Sequence, residues 1–191
     1  MRSLSEGPFK RLEKNPLPAE AGGHFSSKAR RIRLDTREYE QLLTLYLDSV
    51  YRVALSGCSN KADAEDVVQN TFIKLWERQE SFEDLEHARK WLIRVAVNEC
   101  HSLWRTPWRK RISYLEELAT EPSFSMKERS ELYYAVKELP VKYRQVVHLY
   151  YFEEYSVKEI AEIMKLSETA VQTRLQRARQ KLKEAMKGAW K

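Results

Sequence analysis

Apolar residues recur along this chain at intervals of three and four, and no stretch alternates with a period of two. A chain patterned this way can hide its apolar surface only by packing helices, because that spacing gathers side chains on one helical face. The sequence therefore predicts an all-α protein. Tyr39, Leu42, Leu43, Tyr46, Leu47, Val50 and Ala54 form the first stripe. Asp35 and Glu38 before it have capping-box spacing, and Gly57 is the expected stop. Ala64, Val67, Val68, Phe72 and Leu75 form a second stripe behind Asp63, the expected cap. Ala88, Trp91, Leu92, Val95 and Ala96 form a third. Three amphipathic helices with short connections predict a compact helical domain over residues 35–111.

Pro107, Pro122 and the polar run "ATEPSFSMKERS" break the period, which places a flexible linker at 112–127. The period resumes with Leu132, Ala135, Val136 and Leu139. Pro140 then opens a helix expected to bury Tyr143, Val146, Val147 and Tyr150. The stretch "YSVKEIAEIMKLSETAVQTRLQRARQKL" completes a second domain over 128–191. Ser156 can cap a short helix with Val157, Ile160, Ala161 and Met164 inward. Lys165, Leu166 and Ser167 make a tight turn, and Ser167 can cap a longer helix burying Val171, Leu175, Ala178 and Leu182. This is a helix-turn-helix pattern. Residues 1–34, with Pro8, Pro16, Pro18 and several glycines, read as a disordered basic tail.

Charge is spread in blocks. The net charge is +6, yet residues 101–111 hold four cations and no acid, and 167–183 hold five cations against Glu168 alone. Residues 112–140 lean acidic, with six glutamates against three cations. Two basic patches joined by an acidic stretch suggest two contacts with one polyanion. On the last helix, Thr169, Gln172, Thr173, Gln176 and Arg177 lie opposite the apolar stripe. Gln and Arg there can pair with base edges in a major groove, while Arg174, Arg179 and Lys181 can meet phosphates. The first patch mixes Trp104 and Trp108 with Arg105, Arg109, Lys110 and Arg111. Aromatic faces among cations suit single-stranded or distorted DNA, although Trp104 also fits a core position.

Several chemistries find no footing. Asp63, Glu65, Asp66 and Glu77 do not share a helical face, so they read as helix-start acids rather than a catalytic or metal site. The histidines share no metal-ligand spacing, and no cofactor is expected. No nucleophile motif or glycine-rich phosphate loop occurs, so no enzymatic activity is expected. Cys58 and Cys100 are expected to be free thiols of a reducing cytosol. No apolar run is long enough for membrane insertion.

Three motifs, "DAEDVVQNTFIKLW", "ARKWLIRVAVNECHSLWR" and "ELPVKYRQVVHLYYFEEYSVKEIAEIMKLSETAVQTRLQRARQKLK", occur in an order that resembles the extracytoplasmic-function (group 4) sigma factors of bacterial RNA polymerase. The resemblance implies that residues 35–111 are sigma region 2 and that 128–191 hold region 4. Asp63, Asp66, Gln69, Asn70 and Lys74 would then dock on the β′ clamp helices of core polymerase. Asn98, His101, Trp104, Arg105, Trp108, Arg109, Lys110 and Arg111 would read the −10 element of promoter DNA. Thr169, Gln172, Thr173, Arg174, Gln176, Arg177, Arg179 and Lys181 would read the −35 element. It also implies a cytoplasmic location and an anti-sigma partner. The alternative expectation is a helix-turn-helix transcriptional regulator with an N-terminal sensing or dimerisation domain.

Overall fold

The computed structural model describes residues 34–58, 60–78, 82–105 and 131–186. The expected linker at 112–127 and the expected tail lie outside them, apart from Leu34, which is buried in the core. The described residues form seven helices and no strand: α1 (Thr36–Gly57), α2 (Lys61–Glu77), α3 (Leu85–Arg105), α4 (Glu131–Lys137), α5 (Val141–Tyr151), α6 (Val157–Met164) and α7 (Glu168–Ala185).

Helix starts follow local chemistry. Asp35 accepts from the Glu38 N–H while Glu38 returns a bond to the Asp35 N–H, the reciprocal capping box expected at α1. Ser156 and Glu159 do the same for α6, and Ser167 caps α7. The cap of α2 differs from expectation. It is Asn60, whose side chain accepts from the Asp63 N–H at 2.7 Å. Asp63 sits inside the first turn instead, where its carboxylate meets both the helix dipole and the Asn60 amide, 3.2 Å away. Pro140 is likewise the cap residue before α5 rather than a member of its first turn.

Helices α1, α2 and α3 pack on one another, each touching the other two. In the C-terminal half, α7 packs on α4, α5 and α6. The halves also pack together, α1 against α5 and α3 against α6. One apolar core runs through both, from Leu42, Val50, Leu75 and Leu92 to Val146, Leu149, Ile160 and Ile163. Each such side chain contributes about 1.5–3 kcal/mol when fully buried. A smaller cluster of Leu139, Tyr143, Val147, Ala178 and Leu182 ties α5 to α7.

This joint packing moves several expected core positions. Ile93, Val97 and Cys100 are fully buried on α3, whereas Trp91 and Val95 are only half-buried. A helix enclosed by α1, α2 and α6 buries a wider arc than a single stripe. On α5, Leu149 and Gln145 are buried while Tyr150 is half-exposed. Gly57 is the last residue of α1, at negative φ, so it is not a left-handed cap. Its need for glycine is steric: a Cβ there would stand 2.7 Å from the Cys100 sulfur and would also collide with the Gln145 amide.

Candidate nucleic-acid interface

Helix α7 divides cleanly. Val171, Leu175, Ala178 and Leu182 are buried, and the opposite face presents Thr169, Gln172, Gln176 and Arg177, all exposed, with Thr173 half-buried beside them. Gln180, exposed and bonded to Glu184 at 3.2 Å, lies on the same face and was absent from the expected set. Helical geometry puts Arg174 and Lys181 along one edge of this face and Arg179 on the other. Arg179 is turned back toward α5. Its Nε donates to the Tyr151 hydroxyl at 2.9 Å, and its guanidinium lies 6.0 Å from the Tyr150 ring centre. Arg177 hydrogen-bonds the Tyr143 phenol and, with Lys142, draws its pKa below the ordinary value. The turn into α7 is closed by Lys165 in a left-handed conformation, φ 55°. The N–H groups of Lys165 and Leu166 both point at the Ala161 carbonyl, which ends α6 sharply.

On α2, Asp66, Gln69, Asn70 and Lys74 are exposed, and Asp63 is half-buried against Asn60. Lys74 is also paired with Glu99 of α3 at 2.5 Å. Ile73 and Trp76 are exposed apolar residues on this helix, and Trp76 meets Tyr39 edge-on at 5.2 Å. Beside the helix, α1 and α2 enclose an open groove of about 520 Å³, whose lining includes Leu47, Tyr51, Val68 and Gln69. Sequence periodicity counted Leu47 as core, whereas it is exposed, and gave no sign of Ile73 or Trp76; Val68 is buried as expected.

On α3, Asn98 and His101 are half-buried. The side chains of Trp104 and Arg105 and all of 106–111, with Trp108, Arg109, Lys110 and Arg111, lie outside the described residues. With the two halves docked, His101 is turned to α5: its Nε2 lies 3.3 Å from the Gln145 Oε1.

That contact belongs to a polar seam between the two halves. Arg144 of α5 donates to the carbonyls of Ser56 (2.8 Å), Cys58 (2.9 Å) and Lys137 (2.7 Å). It supplies the cation that the last turn of α1 lacks. Glu153 is buried and accepts from Ser49 and from Arg89 at 3.0 Å, with the His148 Nε2 3.4 Å from its other oxygen. Burial alone would raise its pKa, but His148, Ser49 and Arg89 outweigh it and hold the carboxylate ionised. Lys90 of α3 meets Glu159 of α6 at 2.7 Å. Sequence reasoning missed all of these residues. The partners that join the two halves are tens of residues away, and an isolated Arg or Glu on a helix reads as solvated.

Comparison with known proteins follows this division. Sigma-70 region 2 matches residues 42–110, and sigma-70 region 4 matches 129–182. The ECF RNA polymerase sigma factor SigM of Bacillus subtilis (strain 168) is 31% identical over 152 residues, which cover 75% of this chain and 92% of that one. The chain belongs to the extracytoplasmic-function sigma factors of the sigma-70 family.

Solved relatives of this sigma factor share its helical arrangement. The sigma factor RpoE from Bartonella quintana, crystallised with the anti-sigma factor NepR, matches with a TM-score of 0.62 and 27% identity, over 79% of this chain and 98% of that one. CnrH in complex with the cytosolic domain of CnrY matches with a TM-score of 0.55 and 26% identity, over 82% and 92%. The alternative of a regulator with a sensing domain is set aside, because region 2 occupies the place that domain would have. Among the described residues no group of three or more His, Cys, Asp or Glu could hold a metal, and no helix is long and apolar enough to cross a membrane.

Proposed function

We propose that this sigma factor brings core RNA polymerase to promoters through three surfaces. The exposed α2 residues Asp66, Gln69, Asn70 and Lys74, with Asp63, dock on the β′ clamp helices. Asn98, His101 and the run Trp104, Arg105, Trp108, Arg109, Lys110 and Arg111 bind the opened −10 element. The exposed face of α7 reads the −35 duplex: Thr169, Gln172, Thr173, Gln176 and Arg177 meet bases, and Arg174, Arg179 and Lys181 meet phosphates. The observation that carries the reading is the two-faced α7, polar and cationic outside, apolar inside, entered through a three-residue turn. A helix of this kind fits a major groove. Its site of action is the cytoplasm, where polymerase and chromosome are.

The docked halves are a resting arrangement. Helix α3 touches α6 and α6 touches α7, and packed helices lie about 8–10 Å apart. Promoter elements named −10 and −35 are separated by about 25 base pairs, or about 85 Å of duplex at 3.4 Å per pair. The halves must part to read both. The 25 residues between α3 and α4 can span about 80–90 Å when extended. An anti-sigma partner fits the same logic, since the RpoE relative was crystallised with the anti-sigma factor NepR.

The test compares α7 variants on duplexes carrying the −35 element. Gln172→Ala is expected to cost about 1–3 kcal/mol on the preferred sequence and little elsewhere. Lys181→Ala is expected to weaken all sequences alike and to lower the salt slope by about one unit. The same sequence-independent loss from both variants would overturn base reading by this helix.

A further inference from the structure

Cys58, just past the end of α1, and Cys100 of α3 are 42 residues apart in sequence, yet their sulfurs lie 3.8 Å apart in a buried site. The site is at the seam. Cys58 caps α1, and its carbonyl accepts from Arg144 of the C-terminal half at 2.9 Å. The Gln145 amide and the Cys100 sulfur both press on the face of the adjoining Gly57 where a Cβ would stand. Two helical residues of one half therefore hold the chain end that carries Cys58, beside a buried thiol pair of the other half.

We propose that Cys58 and Cys100 are a reversible disulfide site that becomes reactive when the C-terminal half lifts from the end of α1. The oxidant class is a low-molecular-weight disulfide. The Cys58 thiolate attacks one sulfur of that molecule, forming a mixed disulfide and expelling one thiolate. The Cys100 thiolate then attacks the Cys58 sulfur, closing the protein disulfide and expelling the second thiolate. The two cysteine protons end on the two released thiols, so two protein thiols are oxidised and one external disulfide is reduced. Cys58 reacts first because it ends α1 at the carbonyl that Arg144 holds, where opening frees the chain, whereas Cys100 lies within α3.

While the halves are docked, the pair is protected twice. Access is blocked, and the bond to Cys58 together with burial pushes the Cys100 thiol well above its ordinary pKa. Bond formation draws the sulfurs together from 3.8 Å to about 2.05 Å. That movement occurs beneath the seat of Arg144 and Gln145, so oxidation records that the factor has opened.

The test uses the reduced full chain exposed to oxidised glutathione under native conditions, then alkylation, intact mass and peptide mapping. The expected product is a single Cys58–Cys100 cross-link, abolished in Cys58→Ser. Reaction through a rare open state scales with its population. Arg144→Ala, which removes charged hydrogen bonds across the seam, should speed cross-linking by about tenfold or more. Lys90→Ala weakens the seam from its other end without touching α1, and should accelerate it in the same direction. Circular dichroism verifies the fold of each variant. The proposal is overturned by any of three results: no reaction, a glutathione adduct that never closes, or one rate shared by the parent and both seam variants. Each of these would leave DNA reading by α7 untouched.

Discussion

Glu159 shows how one carboxylate serves two structures. It closes the capping box of α6, accepting from the Ser156 N–H at 2.9 Å, and it pairs with Lys90 across the seam. The Lys90 bond and then the Ser156 N–H hold its pKa down at about 2, against an ordinary 4.5. A group whose pKa falls on folding stabilises the fold above its unfolded value and loses that contribution as it protonates. The sign here is clear. Glu159→Gln should lower the unfolding temperature near neutral pH, and the gap to the parent should shrink below pH 4.5 and close as pH falls through about 2. Thermal melts of both proteins across that range check it, and a gap that widened toward acid would contradict the assignment. Residues such as Glu153, Gln145 and Arg144 were invisible to sequence reasoning for a physical reason. Periodicity reports apolar faces, whereas a buried polar side chain is betrayed only by the partner that satisfies it.

At the level of elements, most of the molecule could be read in advance. The stripes of α1, α2, α6 and α7, and the caps at Asp35, Ser156 and Ser167, follow from short-range chemistry that the sequence states outright. Asn60 displaced Asp63 because each can offer an oxygen to a free N–H, and only the backbone path decides which one stands at the cap. The turn between α6 and α7 keeps a strained residue. Lys165 holds φ 55° with a full side chain, exposed to solvent. Lys165→Gly should stabilise the protein by about 1 kcal/mol, measured by denaturant unfolding, with α7 still binding its duplex. A loss of stability would mean that the Lys165 side chain supports the turn.

For the whole molecule, the sequence announced two helical halves but not that they share a core. That fact depends on contacts such as α1 with α5, which no local pattern encodes. If the two DNA-reading surfaces are those proposed, the docked form and the promoter-bound form differ in length. Fluorescent labels on α2 and α7 should report a short distance in the free protein and a long one after core polymerase and promoter are added, and an unchanged distance would exclude opening. The role itself is tested most directly by transcription from a library randomised at −35 and −10, using core polymerase and this protein without any added nucleotide cofactor. Sequencing of the transcripts should show discrete starts downstream of one preferred pair of elements. Gln172→Ala should relax the preference only at −35, and Asn98→Ala only at −10. Starts no different from core polymerase alone, or preferences that neither substitution moves, would contradict the account.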